Sequence, residues 1–237
     1  MPVTFASYNI HKSVGMDRRR DPERIMAVLH EIDADIIALQ EVDRRIGARE
    51  TTLSRKDIDD SPWRLVPVAK RPRSVGWHGN ALLVRRQYAI DNGEALDLPT
   101  LEPRGAACGE LTVEDTLIRV IGTHLDLSGL KRRDQIRSLL GVVSRCERDL
   151  PTIVMGDFNQ WGLATGAMRE FVEGWQVLTP GRSYPSRRPV AALDRICTTR
   201  HWTCVQSHVH RTALSAVASD HLPVVATLAL RKTQASA

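Results

Sequence analysis

PTIVMGDFNQW, residues Pro151–Trp161, runs from an apolar, partly β-branched segment into a glycine, a carboxylate and an amide. A short apolar run bounded by Pro and Gly reads as a buried strand. Gly156 reads as the point where the backbone turns sharply at the strand's end. Asp157 and Asn159 stand two apart, so on extended backbone they share one face while Phe158 takes the other.

Other segments deliver polar groups in the same way. VTFASYNI (Val3–Ile10) alternates like a strand and carries Asn9 at its end. DIIALQEV (Asp35–Val42) closes on Gln40 and Glu41, and LIRVIGTHL (Leu117–Leu125) on His124. NALLVRR opens on Asn80, ALDRICT carries Asp194, and SDHLPV places Asp220 and His221 just before a last apolar run, PVVATLAL. Between strands lie helical patterns. Asp21-Pro22-Glu23 is a helix start, with a capping acid and Pro at the first helical position, followed by Ile25, Val28, Leu29 and Ile32 at helical spacing. A second amphipathic stretch carries Ile136, Leu139, Leu140, Val143 and Cys146. Lys131, Arg132, Arg133 and Arg137 crowd its start, either as a solvated face or as a phosphate-facing patch. This alternation predicts a layered α/β fold. Residues 1–231 read as a single domain and 232–237 as a disordered tail. Arg44–Arg73 is polar with few apolar anchors and reads as a long surface excursion.

The 33 Lys+Arg against 28 Asp+Glu leave a net charge of +5, which weakly favours an anionic partner. The four cysteines show no metal-ligand spacing and read as reduced thiols. No signal-peptide pattern opens the chain, and no run approaches the ~18 apolar residues of a membrane span. The expectation is a cytoplasmic enzyme, taken as a monomer. Carboxylates and amide oxygens without cysteine ligands suit a hard cation, Mg²⁺ or Mn²⁺. Two histidines near acids supply acid–base or charge-stabilising chemistry. G-x-S-x-G, Walker and G-x-G-x-x-G motifs are absent. Attack of an activated water at phosphorus uses every group present.

In this order, SYNIH, LQEVD, GTHLDL, MGDFNQ, LDRI and SDHLPV resemble the endonuclease/exonuclease/phosphatase superfamily, the deoxyribonuclease I-like fold. The resemblance covers about Val3 to Leu230. It implies a four-layer sandwich of two facing mixed β-sheets flanked by helices, with the site at one edge. It also implies a Mg²⁺-dependent phosphoesterase acting on a phosphate ester, with nucleic acid as a possible substrate. By that resemblance Glu41 would be the principal metal ligand, helped by Asn9, with Asp220 supporting the metal side. Asp157 would orient or activate water, and Asn159 would hold a phosphate oxygen. His221 would contact the scissile phosphate or act as base, with Asp194 fixing its tautomer. His124 matches a second histidine of the deoxyribonuclease I and sphingomyelinase branches. His11, Asn80 and Arg104 are candidate phosphate or substrate contacts.

Abasic-site endonucleases fit less well. They carry Asp where His11 stands, and none of Tyr8, Tyr88 and Tyr184 falls where their active-site tyrosine belongs. Nuclease and lipid or small-molecule phosphodiesterase readings stay open. Trp63, Trp77 and Trp161 are candidate contact surface for the latter. The different-class alternative is a non-catalytic binding or scaffold module on the same fold.

Overall fold

The computed structural model describes residues 1–44, 47–100, 104–146, 148–162 and 166–231; the expected tail at 232–237 lies outside them. In chain order the first half runs β1 (Val3–Asn9), α1 (Pro22–Ile32), β2 (Ile36–Gln40), α2 (Arg55–Asp59), β3 (Trp63–Leu65), β4 (Ala81–Arg85), β5 (Ala89–Asp97) and β6 (Gly105–Val113). The second half runs β7 (Thr116–His124), α3 (Gly129–Arg145), β8 (Thr152–Asp157), β9 (Trp175–Leu178), β10 (Asp194–Thr199), β11 (Trp202–Val209), α4 (Ser215–Ala218) and β12 (Val224–Leu230).

The strands form two six-stranded sheets, ordered β11-β12-β1-β2-β4-β3 and β5-β6-β7-β8-β10-β9. Each sheet has one parallel pair at its centre, β1 with β2 and β7 with β8, and antiparallel neighbours around it. Parallel pairs need a crossover, and α1 and α3 supply them. Asp21 caps α1, its Oδ1 accepting from the Arg24 amide at 2.9 Å, with Pro22 at the first position.

Period-2 alternation splits each central strand between two cores. Val3 and Phe5 of β1, Ile36 and Ala38 of β2, and Ile153 and Met155 of β8 fill the space between the sheets. Ala6, Tyr8, Ile37 and Leu39 face outward beneath Ile25, Val28 and Leu29 of α1. On the far side Ile121, Val154 and Cys197 meet Ile136 and Leu139 of α3. The result is the expected four-layer sandwich of two facing mixed sheets flanked by helices.

Several expectations need correction. Arg44–Arg73 is no surface excursion, because Leu53, Ile58, Trp63, Val66 and Val68 are buried along it and the stretch forms α2 and β3. Trp63 is core, its Nε1–H donating to the Ala34 carbonyl at 2.8 Å, and is no ligand surface. Besides β3, four strands escaped the pattern. β5 and β11 lie at sheet edges with mostly exposed, polar sequences, as edge strands should. β9 is a four-residue edge strand, too short to show a period. β6 is buried with little hydrophobicity, because small residues are what fit there. A Cβ on Gly109 would lie 3.3 Å from Val66, and one on Gly105 would meet Trp77 at 2.7 Å.

The basic start of α3 also divides. Arg132 is buried, its guanidinium donating to the Asp126 and Leu127 carbonyls and to Gln160 Oε1. Arg133 and Arg137 pair with Glu170. The run is therefore no continuous solvated face: Arg132 turns inward, while Arg133 and Arg137 stay part-exposed beside Glu170. Arg132 neutralises carbonyls and braces the loop after β7 against the loop after β8.

Candidate active site

The inward-facing rows of both sheets turn polar at one end. Row 3-5-7-9 of β1 ends on Asn9, row 36-38-40 of β2 on Gln40, and row 153-155-157 of β8 on Asp157. His124 closes β7 beside Asp157, with which it is paired in register. Asp194 opens β10 opposite the same residue. Parallel strand ends and antiparallel strand starts thus converge on one edge, where ligand sites of α/β sheets are found.

Asp157 is the hub. Its Oδ2 accepts from Asn9 Nδ2 at 3.1 Å and lies 3.5 Å from His124 Nε2 and 3.6 Å from His221 Nε2. Its Oδ1 accepts the Asn159 amide at 2.9 Å. That last bond is an Asx turn, and Asn159 sits at φ 51°, a left-handed position asparagine tolerates. The expected extended geometry for Asp157 and Asn159 is therefore wrong. β8 ends at Asp157, and the turn falls on Asn159, whose Nδ2 donates to the Leu125 carbonyl at 2.9 Å. Gly156 makes no turn. It lies in register between Thr123 and Arg195, and a Cβ there would stand 1.8 Å from the Thr123 carbonyl oxygen. Glycine is needed for close strand approach.

His221 Nδ1 is 2.9 Å from Asp194 Oδ2, which also accepts from Ser183 Oγ. Burial works against the charged imidazolium, but the carboxylates of Asp194 and Asp157 outweigh it and raise the His221 pKa to about 10. His124 goes the other way. Burial, aided by the charge of Arg104, holds it down to about 4 despite Asp157. The two histidines flanking one carboxylate are thus in opposite protonation states at neutral pH. Asp157 itself is held below its ordinary range: burial opposes ionisation, but His221 and His124 more than offset it.

These shifts set a stability profile for the metal-free protein. The unfolded chain binds more protons than native His124 between about pH 6.5 and 4, so acidification through that window destabilises. His221 contributes stability that is fully present below about pH 6.5 and is lost as pH rises through its folded value of about 10. In chelator, urea-unfolding free energies should fall on both sides of about pH 6.5, by up to about 1.4 kcal/mol per pH unit. His124→Gln should flatten the acid limb and His221→Gln the alkaline one. Unchanged limbs in both variants would refute the assignment.

Glu41 lies just past β2 at φ 56°, half-buried, and its carboxylate meets the Lys12 ammonium. Burial opposes its ionisation, but His124 and Lys12 lower its pKa nonetheless. Asn9 Oδ1 accepts the His11 amide at 3.1 Å, and the Asn9 carbonyl accepts from Ser219 Oγ at 2.7 Å. Asp220 Oδ1 is 3.8 Å from His11 Nδ1, which itself contacts the Val14 carbonyl at 3.1 Å. Arg104 is near enough for its charge to reach His124. Asn80 departs from expectation. It is fully buried, and its Nδ2 donates to the Gly105 and Trp77 carbonyls at 2.9 and 3.3 Å. It ties β4 to β6 and has no hydrogen left for phosphate.

The residues expected to hold a metal, Glu41, Asn9 and Asp220, carry oxygen donors of the kind a hard divalent cation takes, and a cationic ammonium rests on Glu41. Among the described residues the acidic and histidine side chains whose ligand atoms converge within 4.8 Å of one another are Asp157, Asp194 and His221. Asp194 Oδ1 is buried without a hydrogen-bond partner among the described residues.

Three participants were not anticipated. Lys12 was overlooked beside His11 in SYNIHK. Ser219 had its signal in SDH. Tyr184 gave none, because the 179–193 loop carries it back onto His221, ring centroids 4.8 Å apart. Tyr184 therefore stands beside His221, brought there by the fold and not by any neighbouring motif. Exposed Trp161 meets Tyr184 edge-on at 6.5 Å.

Comparison with known proteins agrees with this fold. Escherichia coli K12 YbhP, described as an uncharacterized protein, is 29% identical over 210 residues, covering 79% of this chain and 81% of its own. An endonuclease/exonuclease/phosphatase structure from Bacteroides vulgatus superposes with a TM-score of 0.76 at 15% identity, covering 98% of this chain and 100% of that one. The human Nocturnin catalytic domain with bound sulfate gives 0.74 at 19% identity, over 97% and 95%. At these identities the structures speak to fold. Residues 6–221 match the family described as Endonuclease/Exonuclease/phosphatase, so the chain belongs to that family.

Proposed function

We propose that the protein is a Mg²⁺- or Mn²⁺-dependent phosphoesterase that hydrolyses a phosphodiester or phosphomonoester with an activated water. The observation that carries this is the convergence of two histidines on one buried carboxylate, His124 Nε2 and His221 Nε2 lying 3.5 and 3.6 Å from Asp157 Oδ2, with Asn9 of the other sheet donating to the same oxygen. Asp157, ionised and hydrogen-bonded, orients the attacking water and takes up its proton. His221, held as imidazolium by Asp194, neutralises the charge that builds on the non-bridging oxygens. Being already protonated at neutral pH, it serves as the phosphate contact of the two roles open to it. Neutral His124 can donate one hydrogen bond to the same phosphoryl group. Asn159 is set beside Asp157 to hold a phosphate oxygen, and Arg104 adds positive charge. Glu41 and Asn9 would hold the cation, with Asp220 behind them, and a bound cation would stabilise the leaving oxygen. The sulfate present with the Nocturnin domain supports a tetrahedral oxyanion as ligand class.

Hydrolysis of bis-p-nitrophenyl phosphate by the purified protein, with Mg²⁺ or Mn²⁺, tests this. Activity should exceed a Glu41→Ala control by about 10²-fold or more, the loss expected for one transition-state interaction. Equal rates under both ions would overturn the reading in favour of a non-catalytic binding module.

A further inference from the structure

We propose that Lys12 is a built-in counter-ion for Glu41: it holds the carboxylate before the divalent cation arrives, is displaced by that cation, and then takes the substrate's phosphate. The inference rests on the metal-dependent reading of Glu41.

Lys12 grips Glu41 twice. Its amide donates to the Glu41 carbonyl at 3.1 Å, and its ammonium meets the Glu41 carboxylate. Both side chains are largely withdrawn from water, at 27% and 23% exposure, so their attraction is poorly screened. The backbone that makes this possible is strained. His11, Lys12 and Ser13 lie at φ 46°, 58° and 59°, opposite Glu41 at 56°, and left-handed conformations of such residues cost roughly 1–2 kcal/mol each. Neighbouring bonds hold the turn in place. The Ser13 amide donates to the Ile10 carbonyl at 2.8 Å, Ser13 Oγ pairs with Thr52 Oγ1 at 3.0 Å, and Arg20 Nε donates to the Lys12 carbonyl at 3.1 Å. Strain that the surroundings enforce is a mark of functional positions.

The main chain of Lys12 is thus fixed while its four-carbon stem can swing, and a compact ammonium suits such a transfer. An ammonium and a divalent cation cannot share one carboxylate without repulsion, so each must weaken the other's hold. Once released, the ammonium stays tethered at the mouth of the site, where an arriving phosphate is its natural partner. Metal and oxyanion should therefore bind synergistically, and the coupling is reciprocal.

Isothermal titration of the metal-free protein with Mn²⁺, with and without sulfate, tests this independently of turnover. Lys12→Met should bind Mn²⁺ about fivefold or more tightly than wild type, with Lys12→Arg close to wild type. Sulfate should tighten Mn²⁺ binding to wild type and lose that effect in Lys12→Met. Should Lys12→Met not fold, judged by near-ultraviolet dichroism, Lys12→Gln serves the same test. Equal or weaker Mn²⁺ binding by the folded neutral variant overturns the proposal. A Glu41→Gln control separates the failures. If wild type and Glu41→Gln bind Mn²⁺ alike, the metal reading of Glu41 falls and takes this proposal with it. If binding depends on Glu41 but not on Lys12, only this proposal falls.

Discussion

Alanine at position 156 should leave almost no native protein. The new Cβ would stand 1.8 Å from the Thr123 carbonyl oxygen and 2.8 Å from the Thr123 carbonyl carbon, both main-chain atoms of β7. Real carbon–oxygen contacts are far longer, and this oxygen cannot swing away as the tip of a side chain would. Relief requires parting β7 from β8 where His124 and Asp157 are paired in register. The expected cost exceeds about 4 kcal/mol, an exceptional value for one substitution and a large share of the roughly 5–15 kcal/mol that holds a domain. Urea unfolding followed by tryptophan fluorescence checks it. A midpoint loss worth less than about 1 kcal/mol would show that the strands can part at little cost. The same methyl group would also displace Asp157, so any folded remnant should be inactive.

Asp157→Asn should have the larger effect on chemistry and the smaller one on folding. The amide preserves shape and can still meet the Asn159 main chain. What disappears is the charge that His124 and His221 face at 3.5 and 3.6 Å, and with it the proposed acceptor for the attacking water's proton. We expect kcat/KM on bis-p-nitrophenyl phosphate to fall about 10³-fold or more, which corresponds to roughly 4 kcal/mol of transition-state stabilisation. The fall should lie mainly in kcat, because the role proposed for Asp157 is on the attacking water and not on ground-state binding. The His221 pKa should also drop, since one of the two carboxylates that raise it is gone; imidazole titration by NMR reads this directly. Undiminished turnover in the variant would remove Asp157 from the mechanism.

The segments that carry the polar groups of the site were legible because each borders an apolar run whose period places it. Asn9, Glu41, His124 and Asp157 stand at or just past the ends of such runs, and Asp194 and His221 at or just before the starts of others, and burying the run fixes where its flanking residue goes. The polar edge strands β5 and β11 and the small-residue strand β6 were not legible, since their burial depends on neighbours and not on their own hydrophobicity. Trp63 was misread for the same reason: one tryptophan in a polar stretch looks like surface until α1 and β2 are seen beneath it.

The amino-acid sequence by itself determined the apolar strands β1, β2, β4, β7, β8, β10 and β12, the two crossover helices and the identity of the polar groups at the strand ends. Local periodicity and capping are written in neighbouring residues, and they suffice for those features. Only the tertiary structure decided that Gly156 serves close strand approach, that Arg132 turns inward, that Tyr184 reaches His221 and that Lys12 covers Glu41. Each of these depends on atoms brought together from distant parts of the chain, where packing and charge, and not sequence spacing, choose the partner.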